Sequence, residues 1–268
     1  MKIGNKILDF NKRTYIMGIL NITPDSFSDG GEYNSLDKAL EKAKQMVEDG
    51  VDIIDLGGES TRPGATYVSE EEEIKRVIPI IKAIKKELDV IISVDTYKSK
   101  TAEEAIIAGA DIVNDVWGLK KDENMAKIIA KYNVPCILMH NRFDKPYNNI
   151  MRDVLSDLYE SIFIAKKNGI SEDNIILDPG IGFAKNYEEN LEVLNNLEKI
   201  VDLGYPVLLA TSRKSVIGKT LDVDTDNRLE GTIATTVLGI MKGCNMVRVH
   251  DVKENKRAAQ MTDKILGK

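Results

Sequence analysis

The sequence has few of the residues that form disulfide bonds or bind metal ions. It contains two cysteines and two histidines among 268 residues. Cys136 and Cys244 are far apart, and each lies in or beside an apolar run, so we interpret both as buried apolar side chains. No disulfide is expected, and a reducing, cytoplasmic setting follows. No cysteine, histidine or carboxylate is spaced with His140 as in a metal site. With two histidines and no nucleophile elbow, the sequence also excludes a Ser-His-Asp hydrolase.

Long apolar runs and an excess of positive charge are absent too. No run of about 18 uncharged apolar residues occurs, so no membrane span is expected. Residues 1–6 lack the apolar stretch of a signal peptide. The formal net charge of −6 argues against a nucleic-acid partner, because nucleic-acid binding needs a basic surface. A small anionic substrate held by a few local cations remains compatible with this charge.

The apolar residues that are present form eight short runs, most of them followed by a helical pattern. The runs are apolar throughout, as in strands that are covered on both faces. This repeat predicts an α/β fold, a (β/α)8 TIM barrel, with residues 1–268 forming a single domain and residues 1–12 forming a hairpin at the barrel floor. The alternative is an open doubly wound sheet, but no Gly-x-Gly-x-x-Gly motif follows the first strand. The predicted strands are 15–20, 51–56, 90–94, 111–113, 135–139, 174–177, 206–210 and 245–249.

The predicted helices are regular in length and two of them begin with a recognisable cap. Ser35 and Ser69 are candidate N-caps, and Ser69 with Glu72 has the spacing of a capping box. The predicted helices are 37–48, 70–87, 99–108, 123–132, 154–167, 187–203, 231–242 and 254–266.

Polar residues occur at the ends of these apolar runs. In a closed barrel of parallel strands, all the C-terminal ends meet on one face, and that face carries the active site. The side chains should therefore converge although they are far apart in the sequence, which predicts an enzyme. These residues are Asn21, Arg62, Asp95, Asn114, His140, Asp178, Lys214, Arg248 and His250.

For several of these residues, the position in the sequence indicates which kind of ligand group they would bind. Arg62 lies between a glycine pair (Gly57-Gly58) and Pro63-Gly64, as a positioned anion ligand would. Asp178 directly follows a buried strand, where its carboxylate is costly to desolvate unless it meets donors such as a guanidine-like ligand edge. Lys214 adds a cation after another strand. Arg248 and His250 are two positions apart on a strand and can reach one diphosphate.

Three further residues are less specific. Asp95 could cap the next helix instead of binding a ligand. Met139 could line a flat aromatic ligand, because thioethers pack well on rings. The ring of His140 could be structural or functional, and the sequence leaves both interpretations open.

Taken together, the strand-end motifs resemble those of dihydropteroate synthases. The resemblance covers about residues 16–251 and includes eight motifs in the same order. They are MGILNITPDSFSDGG, DLGGESTRPGA, SVDT, VND, LMH, LDPGIGFAK, SRKSVIG and VRVHD. The resemblance implies a (β/α)8 barrel that joins 6-hydroxymethyl-7,8-dihydropterin diphosphate to 4-aminobenzoate, releases diphosphate and acts in folate biosynthesis.

The resemblance also implies a role for individual residues in pterin binding and chemistry. Asp178 would accept from the pterin 2-amino group, Asn114 would pair with the neighbouring edge, and Asp95 would accept from N8–H. Lys214 would donate to the pterin carbonyl and N5, and Met139 would contact the ring. The implied catalytic residues are Asp29, Asp95, Lys214, Arg248 and His250.

Further implied roles concern the diphosphate and the second substrate. Asn21 would bind Mg2+ as the cofactor. The implied diphosphate ligands are Asn21, Thr61, Arg62, Arg248 and His250. The implied 4-aminobenzoate pocket consists of Phe27, Thr61, Arg62, Pro63, Phe183 and Ser215.

The resemblance further implies a cytoplasmic homodimer that sulfonamides inhibit. One alternative is a pterin-binding methyltransferase that passes a methyl group from methyltetrahydrofolate to a corrinoid. It could share Asp95, Asn114 and Asp178, but it has no diphosphate for Arg248 and His250 to hold. The other alternative is a non-catalytic paralogue that binds pterins, which a test for diphosphate release would distinguish.

Overall fold

The computed structural model describes residues 1–22, 32–60, 66–143 and 146–268. Within these residues, eight parallel strands form one sheet, in the spatial order 175–178, 136–139, 112–115, 91–95, 53–57, 15–21, 246–249 and 208–209. A bridge between Leu177 and Val207 joins the two ends of this order, so the sheet closes into a barrel. The predicted TIM barrel is confirmed, and the open doubly wound sheet is wrong. The barrel strands are β3 (Tyr15–Asn21), β4 (Ile53–Gly57), β5 (Ile91–Asp95), β6 (Ile112–Asp115), β7 (Cys136–Met139), β8 (Ile175–Asp178), β9 (Leu208–Leu209) and β10 (Met246–Val249).

Helices follow the strands and cover the outside of the barrel. Ser69 caps the second helix by accepting from the Glu72 backbone N–H, as predicted. Ser35 lies inside the first helix rather than before it, so that predicted cap is wrong. No described helix is long and apolar enough to cross a membrane. The helices are α1 (Glu32–Glu48), α2 (Glu70–Glu87), α3 (Ser99–Ala108), α4 (Met125–Tyr132), α5 (Ile150–Lys167), α6 (Tyr187–Asn195), α7 (Glu198–Val201), α8 (Ser215–Leu221), α9 (Leu229–Met241) and α10 (Val252–Ile265).

An N-terminal hairpin closes the bottom of the barrel, as predicted. Its strands are β1 (Lys2–Ile3) and β2 (Lys6–Ile7), which pair antiparallel. Ile3 is fully buried and, with Leu8, packs in one cluster with side chains from inside the barrel. The hairpin thus shields the lower barrel interior from water. The barrel side chains of this cluster are Tyr15, Met17, Ile53, Ile91, Ile112, Ile137, Ile176, Leu208 and Met246.

The layer above this apolar cluster is polar. Side chains alternate along a strand, so a residue two positions after a floor isoleucine lies on the same side of the sheet. By that rule each interior isoleucine of β4, β5, β6 and β8 is followed by a polar residue nearer the strand end. The apolar floor therefore places a set of polar side chains at the mouth of the barrel. This set is Asp55, Ser93, Asn114 and Asp178, with Arg248 in the same relation to Met246 on β10.

Candidate active site

A cavity of about 260 Å³ opens at the C-terminal ends of the strands. Among its described lining residues are four arginines and lysines but two carboxylates. It is therefore suited to an anionic ligand even though the chain as a whole is acidic. The lining includes Asn21, Glu59, Asp95, Phe183, Ser212, Arg213, Lys214, Ser215, Arg228, Arg248 and His250.

Arg248 joins two carboxylates at the edge of this cavity. Its Nε donates to Asp55 Oδ2 at 2.6 Å, and its Nη2 donates to Asp95 Oδ2 at 2.7 Å. The Asn114 side chain also donates to Asp55 Oδ2, at 3.2 Å. Asp55 and Asp95 are both buried, and the Oδ1 atom of each has no hydrogen-bond partner among the described residues. Two buried acceptors are thus left unsatisfied, and one of them belongs to Asp95, which lines the cavity.

The charges of this cluster do not balance, since two carboxylates share one guanidinium. Burial raises the pKa of Asp95 to about 7, Arg248 opposes this, and Asp55 adds to it. Burial acts to lower the pKa of Arg248, but Asp55 and Asp95 outweigh it and raise that pKa further above its ordinary range. Arg248 is therefore a permanent cation, whereas Asp95 changes its charge near neutral pH.

Asp178 ends β8 and begins a tight loop. Its Oδ1 accepts from the Gly180 backbone N–H at 2.7 Å, and burial raises the pKa of its carboxyl group. Lys214 also contacts this loop, where its Nζ donates to the Ile181 carbonyl. The same Nζ lies 4.8 Å from the centre of the Phe183 ring, a cation–π distance. Burial lowers the pKa of Lys214 to about 8.

His250 lies just past β10 and is oriented by a serine of the neighbouring strand end. Its Nδ1 is 2.9 Å from Ser212 Oγ, which also accepts from the His250 backbone N–H at 3.1 Å. Arg213 forms a two-point ion pair with Asp251, at 3.1 and 2.6 Å. These contacts hold the strand ends of β9 and β10 together and leave His250 lining the cavity.

The structure brings most of the predicted site residues together. Asn114, Met139 and Asp178 are buried at neighbouring strand ends, in the same ring as the cavity residues. Phe27, Asp29, Thr61, Arg62 and Pro63 lie outside the described residues. The predicted residues that line the cavity are Asn21, Asp95, Phe183, Lys214, Ser215, Arg248 and His250.

His140 has a defined set of partners away from this cavity. It is fully buried, with Nε2 at 3.0 Å from Asp157 Oδ2 and Nδ1 at 2.7 Å from Lys185 Nζ. Burial, together with Lys185, lowers the pKa of His140 to about 4, so the ring is neutral. The network assigns the proton to Nε2, which donates to Asp157, while Nδ1 accepts from Lys185. Of the two interpretations left open by the sequence, these contacts favour the structural one.

Sequence reasoning gave no role to three residues that build the site. Asp55 anchors Arg248 from inside an apolar strand, and a carboxylate inside such a run is itself a signal of a buried partner. Ser212 orients His250. Lys185, in the last position of the LDPGIGFAK motif, is buried against His140, which nothing in the sequence pattern indicates.

Comparison with known proteins gives one consistent result. A family model described as "Pterin binding enzyme" matches residues 17–250. The chain belongs to the pterin binding enzyme family. A dihydropteroate synthase of Clostridium beijerinckii is 63% identical over 267 residues, which cover 99% of this chain and 99% of the relative. Within the family the chain therefore belongs with the dihydropteroate synthases, which are transferases, and the alternative interpretation as a corrinoid methyltransferase is not supported.

Solved structures of pterin binding enzymes have the same fold. A dihydropteroate synthase of Clostridium difficile, crystallised in the presence of pteroic acid, superposes with a TM-score of 0.96 at 58% identity. That alignment covers 98% of this chain and 100% of the other. A Yersinia pestis dihydropteroate synthase, solved as a sulfonamide drug complex, gives a TM-score of 0.93 at 38% identity, covering 100% of this chain and 99% of the other.

Proposed function

We propose that the chain, acting as a single domain, condenses 6-hydroxymethyl-7,8-dihydropterin diphosphate with 4-aminobenzoate and releases diphosphate. One observation carries the proposal: buried acceptors with no partner of their own lie beside a cation-lined cavity at the barrel mouth. A pterin is a flat ring with several N–H donors, and a diphosphate is an anion. The two halves of the site match the two halves of this substrate.

The pterin half of the site consists of buried carboxylates and an amide. Asp178 would accept from the 2-amino group and the adjacent ring N–H, and Asn114 would pair with the next edge. Asp95 would accept from N8–H through its unpaired Oδ1. Met139, which is 3% exposed, would contact the ring. Lys214 would exchange its bond with the Ile181 carbonyl for the pterin carbonyl and N5.

The diphosphate half of the site consists of Arg248 and His250, with Asn21 beside them and Thr61 and Arg62 outside the described residues. As the C–O bond breaks, charge develops on the leaving oxygens, and these donors stabilise it. Asn21 fits Mg2+, since this ion commonly takes one or two protein oxygens and completes its shell with phosphate oxygens and water. When bound, Mg2+ would neutralise the leaving diphosphate.

The carbon left behind is electron-poor and conjugated with the pterin. An ionised Asp95 at N8 stabilises this cation by Coulomb attraction. The amine of 4-aminobenzoate is neutral at pH 7 and attacks without a strong base, which agrees with the lack of a triad. Phe183 and Ser215 would line its pocket together with Phe27, Thr61, Arg62 and Pro63, and Asp29 would contribute from the same loop as Phe27. Sulfonamides would compete for this pocket.

The proposal includes a cytoplasmic homodimer. Both cysteines are free and fully buried, which is consistent with a reducing compartment. Several apolar side chains on the outer helices are more than half exposed, as at a surface that a second copy could cover. They are Phe163 on α5, Met241 on α9, and Met261 and Ile265 on α10.

The pterin site can be tested with Asp178→Asn. This change keeps the shape of the side chain but replaces one acceptor by a donor that would face ligand donors. A buried hydrogen bond to a charged group is worth roughly 1.5–3 kcal/mol, so pterin affinity should fall at least tenfold in calorimetry. Diphosphate should form when wild-type protein is mixed with both substrates, and more slowly with the variant.

The matched control is Asp89→Asn, since the Asp89 side chain is 80% exposed on the opposite side of the barrel. It removes the same charge without touching the site, so affinity and rate should stay at the wild-type level. Wild-type pterin affinity in Asp178→Asn, with the fold intact by circular dichroism, would reject the assignment. Failure of the wild type to release diphosphate would favour a non-catalytic paralogue.

A further inference from the structure

Lys185 is a buried lysine whose amine makes three hydrogen bonds, two within the loop that follows β8 and one to His140, just past the end of β7. Nζ lies 2.7 Å from His140 Nδ1, 3.0 Å from the Gly180 carbonyl and 3.2 Å from the Phe183 carbonyl. The residue is 7% exposed. Burial lowers the pKa of Lys185 to about 7, and in its ammonium form the group has three N–H donors, each of which has an acceptor in this geometry. The other ring nitrogen of His140, Nε2, lies 3.0 Å from Asp157 Oδ2.

The loop that Lys185 holds has an unfavourable backbone. Gly180, Gly182 and Ala184 have φ values of 66°, 84° and 48°, so alternate residues are left-handed. Ala184 pays a steric cost there that glycine would avoid. A Cβ atom on Gly180 would lie 1.9 Å from the His140 carbonyl oxygen, so the loop packs directly against the end of β7. Such a backbone persists only when surrounding contacts fix it.

Two lysines bind different carbonyls of this loop. Lys185 binds the carbonyls of Gly180 and Phe183, and Lys214 binds the carbonyl of Ile181. Under the proposed function, Lys214 breaks its hydrogen bond with the Ile181 carbonyl when it binds the pterin. At that moment Lys185 is the remaining lysine on the loop among the described residues. The backbone N–H of Gly180 also fixes the Asp178 carboxylate, at 2.7 Å, so a shift of the loop would move Asp178.

We propose that Lys185, oriented by His140, is a positioning residue for the pterin: it holds residues 180–183 so that Asp178 and Phe183 keep their binding geometry when Lys214 transfers to the ligand. The inference rests on the proposed function of Asp178 and Lys214. Lys185 does not touch the substrate. An apolar side chain of the same length would fill the space but could not hold the two carbonyls.

The test is Lys185→Met, which keeps the length and removes the donors. Calorimetric affinity for the pterin should fall at least tenfold. The KM for pterin diphosphate should rise by a similar factor, whereas kcat should change less than threefold. Backbone amides of residues 180–184 should exchange hydrogen faster than in the wild type. Replacing a buried charge by a well-packed apolar group is often neutral for stability, so the melting temperature should stay close to the wild-type value.

Lys131→Met is the matched control, since the Lys131 side chain is 61% exposed and lies away from the site on α4. Normal pterin affinity in Lys185→Met, with weakened binding in Asp178→Asn, would overturn the inference and leave the proposed function standing. Normal affinity in both variants would reject the proposed function itself. If Lys185→Met does not fold, His140→Gln decides: it leaves Lys185 without its ring acceptor and should raise the KM for pterin diphosphate, and an unchanged KM overturns the inference.

Discussion

Arg248 is the residue on which the electrostatics of the site depends. It lies between Asp55 and Asp95, at 2.6 and 2.7 Å, in a place where all three groups have little contact with water. One cation and two carboxylates leave an excess negative charge when both acids are ionised. Burying such a charge is costly, so burial favours a proton on Asp95. A pterin that brings its own donors would favour the ionised form, which is the form that stabilises a cationic transition state.

The raised pKa of Asp95 makes a prediction about stability and pH. Between pH 3.8 and about 7 the folded chain holds a proton on Asp95 that the unfolded chain has released. The contribution of Asp95 to stability is therefore largest at low pH and is lost as the pH rises toward 7. The Asp95→Asn variant has no carboxyl group at this position, so it does not lose stability in this way. Between pH 5 and pH 8 its free energy of unfolding in urea should rise relative to that of the wild type by at least about 1 kcal/mol, as expected for a shift of about one pKa unit or more.

Asp89→Asn serves as the control for removing a negative charge, because its side chain is 80% exposed. Its free energy of unfolding should follow the wild type at both pH values. If Asp95→Asn gains nothing on the wild type between pH 5 and pH 8, Asp95 is ionised throughout that range and the proton does not belong to it.

Single residues also show where sequence reasoning succeeds. Asp178, Lys214 and His250 follow apolar runs, and the barrel topology alone predicts that they meet. Asp55 and Lys185 could not be found in this way, because neither lies directly at the end of an apolar run. Asp55 pairs with Arg248 across 193 positions, and Lys185 pairs with His140 across 45. Such pairs depend on tertiary distances that periodicity does not contain.

At the scale of elements, the N-terminal hairpin contributes to stability and lies away from the candidate active site. It seals the bottom of the barrel, at the end opposite the site, and its two isoleucines differ sharply. Ile3 is 0% exposed, whereas Ile7 is 78% exposed. The hairpin therefore contributes apolar burial to the barrel floor through Ile3. In TIM barrels this face usually serves stability, and the opposite face serves catalysis.

This difference predicts the outcome of two matched substitutions. Ile3→Ala should lower the free energy of unfolding by about 2–5 kcal/mol, because it leaves a cavity in the floor cluster. Ile7→Ala should change it by less than about 0.5 kcal/mol. Pterin affinity of the folded protein should be the same in both variants. Equal stability of the two variants in urea would show that the hairpin does not seal the floor.

Most elements were predictable, and the misses have physical reasons. Strands and long helices follow from apolar periodicity. Helix α8 is seven residues long and contains Gly218, so its pattern is too short to identify. The segment predicted as one helix over 187–203 is two, because α6 ends at Asn195 and the Asn196 cap leaves the helical conformation. Helical periodicity continues across such a break and hides it.

At the scale of the whole molecule, the chain is acidic, whereas the described side chains that line the cavity include more cations than carboxylates. The net charge is −6, yet the cavity is lined by Arg213, Lys214, Arg228 and Arg248 against Glu59 and Asp95. Charges on the outer surface are screened within about 10 Å at 0.1 M salt, whereas partly buried charges are screened much less. The local cations therefore decide whether an anion binds. The acidic molecule as a whole still repels an anion, and a divalent cation bound to the diphosphate would reduce this electrostatic repulsion.

This balance predicts that Mg2+ and diphosphate bind together. No group of three or more acidic, histidine or cysteine side chains in the described part of the chain could hold a metal. Mg2+ should therefore bind weakly to the protein alone and tightly once diphosphate is present. Linkage requires the converse, so diphosphate affinity should rise by the same factor when Mg2+ is added. Calorimetric titrations of each ligand, with and without the other, measure both factors.

The Asn21→Ala variant tests whether Asn21 is the Mg2+ ligand responsible for this coupling. Losing the amide oxygen should reduce the Mg2+-dependent gain in diphosphate affinity while leaving the affinity without Mg2+ nearly unchanged. The reason is that, in the proposed site, Arg248 and His250 would contact the anion directly, whereas Asn21 would act mainly through the metal. Asn195→Ala, at an exposed position at the end of α6, is the control for the substitution. A tight Mg2+ site in the protein without diphosphate, or an Asn21→Ala variant with full coupling, would show that the metal is held by other groups.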